Sequence, residues 1–369
     1  MFERTRVPNA FLLLIIGIIV GPLTALIKPS DFGQLGGVFT TITLIVILFE
    51  SGLSLKFQEL KRAIGTATAL TVLNFLLAMA VMAVLFYYLT DLKQMGQQGW
   101  TAAFFLGAIL GGTSSAVVIP MVRQLRLGEK GQNVLVLESA LSDVLCLVVG
   151  LALLDSMEAF EIDLTPLFNK IWQSFLFAIL IGIYAGLFWV FVHNRVPKLK
   201  KSMFSTFAFA FVVYGLTELA SFNGGIATLA FGIILGNSVA FTNSKWMRKL
   251  FGPDSKGIEF QEKLFYSEIV FILQTYFFVY IGINIRFGQP STYIIAIIAI
   301  AINILMRVGT VKILPKKNLL PRDRTIMSIM TPKGLVPAVL ASIPLYLGIQ
   351  GGELIQEMTY AVVFVSILV

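Results

Sequence analysis

Glu138 and Asp143 stand in the run VLVLESALSDVLCLV, residues 134–148, where every other residue is apolar or serine. In a helix Ser139 and Asp143 are four apart, as are Glu138 and Ser142, so the two pairs lie on adjacent strips of one helix surface. Just upstream, Gly111-Gly112-Thr113-Ser114-Ser115 is a poor helix interior, since glycine and hydroxyl residues favour broken backbone. Interrupted backbone beside two acids at membrane depth is expensive unless it binds something. Oxygen-rich, acidic surroundings suit a proton or a small hard cation. The stretch reads as an ion site.

The elements that must position these residues are transmembrane helices. The chain is 57% hydrophobic and 13% charged over 369 residues, too apolar for a soluble domain, which makes it an all-α polytopic membrane protein. Its one cysteine, Cys146, excludes a disulfide framework. The single histidine, His193, stands beside Asn194 and Arg195 at a helix end and reads as interfacial, because a zinc site needs several nitrogen or sulfur ligands.

Twelve apolar segments follow one another, most of them near the roughly 20 residues that cross a bilayer. Loops on one side collect the basic residues: Arg4 and Arg6; Lys56, Lys61 and Arg62; Arg123, Arg126 and Lys130; Arg195, Lys198, Lys200 and Lys201; Lys245 to Lys263; Lys312 to Arg324. The other side carries only Lys28, Lys93, Lys170 and Arg286, together with Asp155, Glu158, Glu161, Asp163, Glu353 and Glu357. The positive-inside rule makes the first side, with the Met1 end, cytoplasmic, and the formal charge of +8 is mostly topology rather than a nucleic-acid surface. The opening apolar run leads into Gly21-Pro22 and further segments, unlike a cleaved signal peptide.

An internal repeat is legible. Gly17-Ile18-Ile19-Val20-Gly21 resembles Gly232-Ile233-Ile234-Leu235-Gly236, Gly52 resembles Gly282, and the broken Thr113 segment has its counterpart in Thr331-Pro332-Lys333-Gly334. Matched segments cross in opposite directions, as an inverted repeat requires. With residues 167–194 set aside as a linking helix, the second half has six segments and the first five. The expectation is about 12 helices present of 13, with one further helix upstream of Met1 and an end at Val369 that falls inside an apolar run.

Seven charged residues fall within apolar segments: Glu50, Glu138, Asp143, Glu218, Glu268, Arg307 and Lys333. Each is costly there unless paired or lining water. Glu218 and Glu268 lie near segment ends and read as solvated at the interface. Arg307 is deeper and needs an acid, for which Glu138 is the candidate; such a pair is fixed in charge and structural. Asp143 is then the deep acid of the core that the pair does not use. The hydroxyls of Ser139 and Thr113, carbonyls at the break and the Glu50 carboxylate can complete an oxygen shell. Lys333, in the second broken segment, can offset the carbonyl-end dipole there. No Walker A run, dinucleotide fingerprint, HExxH or cysteine pair is present, so neither an enzyme nor a cofactor is expected.

These residues make the chain similar to the monovalent cation–proton antiporter family, the sodium/proton exchangers. The resemblance covers nearly the whole chain. It rests on Leu48-Phe49-Glu50-Ser51-Gly52-Leu53, Gly112-Thr113-Ser114-Ser115, Glu138-Ser139-Ala140-Leu141-Ser142-Asp143, Arg307 and Thr331-Pro332-Lys333-Gly334-Leu335-Val336. It implies an inverted-repeat antiporter fold with two discontinuous helices crossing in the core, and a homodimer in the cell membrane. The core would span 62–155 and 291–369, and the interface domain 1–54 and 202–286. It further implies that Asp143 carries sodium or potassium in exchange for a proton, and that Glu138 pairs with Arg307. Ser139, Thr113, Glu50, Ser142 and Ser114 would surround the ion. Two departures stand out. Ser142 occupies the place where the electroneutral branch usually has Asn and the electrogenic branch a second Asp. Ser114-Ser115 replaces the Asp-Pro that follows the Thr in much of the family. One titrating acid favours one cation for one proton, and the second departure bears on sodium against potassium. The competing reading is a channel, or a cation-coupled symporter for an organic solute, to which Lys333 would offer a positive site.

Overall fold

In the computed structural model the Gly-Gly-Thr-Ser-Ser and Thr-Pro-Lys-Gly runs do interrupt helices. The structure describes residues 9–32, 35–55, 66–124, 127, 129–158, 164–196, 203–238, 260–287, 289–313 and 321–368. All regular structure among them is helical. Its elements are α1 (Asn9–Ile18), continued by a π-helical turn at Ile19–Leu23 that holds Pro22, α2 (Leu35–Ser54), α3 (Thr66–Leu89), α4 (Gln97–Gly111) and α5 (Ser115–Gln124). There follow α6 (Glu129–Glu158), α7 (Leu164–Arg195), α8 (Met203–Leu219), α9 (Gly224–Gly236) and α10 (Phe260–Asn284). The chain closes with α11 (Pro290–Ile313), α12 (Pro321–Ile329), α13 (Leu335–Tyr346) and α14 (Gly352–Leu368). Six of these contain spans long and apolar enough to cross a membrane: Gly36–Ser54, Thr71–Leu89, Val134–Met157, Gln173–His193, Leu264–Asn284 and Pro290–Lys312. The chain is a multi-pass membrane protein. The Met1 end and most of the basic loops (Lys56, Lys61, Arg62, Lys198, Lys200, Lys201, Lys245, Arg248, Lys249, Lys256, Lys316, Lys317) lie outside the described residues.

By packing, the chain forms two compact units. One comprises Met1–Thr40, Ala63–Glu158 and Gln274–Val369; the other comprises Thr41–Arg62 and Ala159–Leu273. Within the first, α1 crosses the end of α10 so closely that a methyl on Gly17 would lie 2.9 Å from Gly282 Cα. Within the second, α2 crosses α9 so that a methyl on Gly52 would lie 3.0 Å from the Gly232 carbonyl carbon. These glycines are the ones matched in the repeat, Gly17 with Gly232 and Gly52 with Gly282. One crossing is therefore the repeat image of the other, and close backbone approach is why each of the four positions is glycine.

The second unit is held by aromatic packing, with Phe49 stacked on Phe231 at 5.6 Å and edge-on to Tyr266 at 5.3 Å. Here Trp189 Nε1 donates to Thr206 Oγ1 at 3.0 Å. Glu218 is not merely solvated: Gly224 N donates to its Oε1 at 2.7 Å, capping the start of α9. Glu268 is exposed. In the first unit, Val118, Val122, Leu127, Leu135, Val311, Met327 and Met330 form one buried cluster, uniting α5, α6, α11 and α12 beside the breaks.

Candidate functional site

The first break, Gly112–Ser114, separates α4 from α5; the second, Met330–Gly334, separates α12 from α13. Each leaves main-chain donors and acceptors that no helix satisfies, in a region where water is scarce. Part of that need is met by the breaks themselves, since Ser114 N donates to Pro332 O at 2.9 Å. The two discontinuous helices thus meet at their interruptions. A methyl on Gly334 would overlap Ser114 Oγ, so glycine is required for that approach.

A serine from a neighbouring continuous helix supports each break in the same way. Thr113 N donates to Ser142 Oγ of α6 at 3.1 Å, and Lys333 N donates to Ser366 Oγ of α14 at 2.9 Å. Each serine hydroxyl also has the carbonyl three residues back within reach, Ser139 O at 3.1 Å and Val363 O at 2.8 Å. Thr113 and Lys333 each lie two residues before the helix that follows. The spatial counterpart of Thr113 is therefore Lys333 rather than Thr331.

Asp143, one residue after Ser142, is buried and faces the first break. Its Oδ2 accepts from Ser115 N at 2.9 Å and from Ser115 Oγ at 2.5 Å. Ser115 opens α5, so its N–H has no helical acceptor and carries the positive end of the helix dipole toward the carboxylate. Thr113 Oγ1 lies 3.3 Å from Ser142 Oγ. The Ser139 hydroxyl donates back to Val136 O at 3.0 Å within α6. Lys333 is wholly buried, and its ammonium donates to Gly112 O at 2.7 Å. The carbonyl end that it meets is that of the first break, not that of its own.

Glu138 and Arg307 meet in a buried, two-pronged ion pair, Nη1 to Oε1 at 2.7 Å and Nη2 to Oε2 at 2.9 Å. Arg307 Nε also donates to Met327 O at 2.5 Å, so one guanidinium ties α11 to both α6 and α12. One turn further, Thr310 Oγ1 donates to Asn74 Oδ1 at 3.0 Å, joining α11 to α3.

The first unit therefore brings together Thr113, Ser114, Ser139, Ser142, Asp143 and Lys333, with Glu138 about one turn from Asp143 along α6 and its partner Arg307 on α11. Glu50 belongs to the second unit, where Ser54 Oγ donates to its Oε1 at 2.8 Å. Sequence reasoning passed over Ser115 as a contact of the acid. The available signal was its position as the first residue after a break, where a free N–H is guaranteed.

An acid seated on a helix N-terminus between two interrupted helices is a place where a hydrated cation can exchange water for protein oxygens. The chain is 22% identical over its whole length to a K(+)/H(+) antiporter NhaP2 of Shewanella baltica, spanning 62% of that protein's length. It is 22% identical over 92% of its length to a probable Na(+)/H(+) antiporter 2 of Methanocaldococcus jannaschii, covering 79% of that relative. Its fold superposes on the sodium proton antiporter MjNhaP1 of Methanocaldococcus jannaschii with a TM-score of 0.74 at 20% identity, covering 100% of this chain and 93% of the other. Residues 1–369 match the family described as sodium/hydrogen exchanger, transmembrane, and the chain belongs to that family.

Proposed function

We propose that this protein exchanges a monovalent cation, sodium or potassium, for a proton across the cell membrane by alternating access, one for one. The observation that carries the reading is the seat of Asp143: a buried carboxylate on the N-terminus of α5, where two interrupted helices bond to each other. Proton and cation compete for the same carboxylate oxygens, which couples the two fluxes without further machinery. Thr113, Ser114, Ser139 and Ser142 supply neighbouring oxygens, and Glu50 is the second acid to test. The Glu138–Arg307 pair holds the core together and does not itself cycle protons. Lys333 offsets the carbonyl end at Gly112. The names of the relatives, K(+)/H(+) and Na(+)/H(+) antiporters, support exchange and leave the ion open.

On this reading residues 62–155 and 291–369 act as the ion-carrying core and 1–54 with 202–286 as the interface body of a homodimer, the Met1 end being cytoplasmic. The test is the purified protein in liposomes with an acidic interior and no organic solute. Adding sodium or potassium outside should drive proton exit at a rate unchanged by an imposed membrane potential. Proton movement that required an organic solute would overturn the exchange reading, and a rate that followed the potential would overturn one-for-one exchange.

A further inference from the structure

We propose that Ser115 positions Asp143 and sets its preference between sodium and potassium, an inference that rests on Asp143 being the exchanging carboxylate. Ser115 donates twice to one oxygen, Asp143 Oδ2: its main-chain N–H at 2.9 Å and its hydroxyl at 2.5 Å. The two donors differ in what they can do next. The N–H is fixed at the head of α5 and only donates. The hydroxyl rotates about its Cβ–Oγ bond and serves as donor or acceptor.

The Ser139 and Ser142 hydroxyls have main-chain acceptors. Ser139 donates to Val136 O, and the Ser142 hydroxyl, while accepting from Thr113 N, has Thr113 O and Ser139 O within 3.1 Å. The Ser115 hydrogen is instead directed at the acid. While no cation is bound, it joins the N–H in stabilising the carboxylate charge. A cation arriving at Oδ2 repels that hydrogen. Rotation of the hydroxyl then removes the repulsion and turns an oxygen lone pair toward the ion. The same atom thus holds the empty carboxylate and adds a ligand to the filled one. Sodium, the smaller ion, gains more from each close oxygen than potassium does, so this ligand favours sodium.

The experiment measures half-saturating concentration and maximal rate for each ion in liposomes at fixed pH, for wild type, S115A, S115T, S115P and D143N. Sodium-dependent thermal stabilisation of the purified variants is a readout independent of transport. S115A should raise the half-saturating sodium concentration roughly tenfold, in keeping with loss of a charge-assisted contact, and that of potassium by less. S115T restores the hydroxyl and should restore the sodium value. Proline suits the first helical position but lacks both donors, so S115P should bind sodium more weakly than S115A.

Unchanged half-saturation for both ions in S115A, or failure of S115T to rescue it, would overturn the proposal. D143N separates the two levels. Normal exchange in D143N overturns the reading of Asp143 itself, whereas silent D143N with wild-type behaviour of S115A overturns the role of Ser115 alone.

Discussion

The two helix breaks share a scaffold and differ in chemistry. Both place a main-chain N–H on a serine of a neighbouring helix, Thr113 on Ser142 and Lys333 on Ser366, with a distance of 3.1 Å in one and 2.9 Å in the other. The next residue on the supporting helix is Asp143 in one case and Ile367 in the other. At the equivalent place within the break one has a threonine and the other a lysine. Broken backbone is thus the common framework, and a single side chain at each site decides what it does. The first break received an acid and binds cations on our reading. The second received a tethered cation that reaches back to Gly112 O of the first.

Breaking what lies beside the pair of breaks should have the largest effect on stability. R307A leaves Glu138 buried without its partner and also frees Met327 O, which should lower stability by about 3–5 kcal/mol. Thermal unfolding or folded yield in detergent reads this, and E138Q with R307Q together should recover part of the loss. Full stability of both single variants would contradict a structural role for the pair.

Next comes the lysine. K333M keeps the bulk of the side chain but leaves Gly112 O without its ammonium, a loss of about 1–3 kcal/mol. Thermal unfolding of K333M against wild type measures it, and an unchanged midpoint would show that the carbonyl finds another partner.

The supporting serines give the sharpest comparison at the smallest magnitude. S142A and S366A each remove the acceptor from one buried N–H, and each should cost about 1–2 kcal/mol. In liposomes, transport per folded molecule should fall in S142A, whose hydroxyl holds Thr113 in the break that Asp143 faces, and stay near wild type in S366A. Equal transport defects would erase the functional distinction between the breaks.

Much of this was legible in residues 111–115 and 331–334, because glycine, proline and hydroxyl residues clustered within an apolar segment disfavour continuous helix. Glu138 and Arg307 were legible as opposite charges too costly to leave alone. Ser115 was not. Spacing along α6 points to Ser139, four residues before Asp143, but spacing says nothing of where a hydroxyl donates, and Ser139 turns to its own helix at Val136 O. The contact with Ser115 spans a gap of 28 residues and depends on how the head of α5 meets α6. Lys333 was visible as a dipole-compensating charge, yet which break it serves depends on the crossing of two helices far apart in sequence. Glu218 read as solvated because its role at Gly224 N is local capping geometry rather than composition.

The central claim is that one carboxylate, Asp143, carries cation and proton in turn. Replacing it by asparagine keeps the shape and puts a neutral amide, easier to bury, in its place. In liposomes, D143N should fold as wild type does and show no cation-driven proton movement. In wild type, each pH unit below the apparent midpoint of the site should weaken apparent cation affinity about tenfold, as proton competition requires. Cation-driven proton exchange in D143N at the wild-type rate would contradict the account.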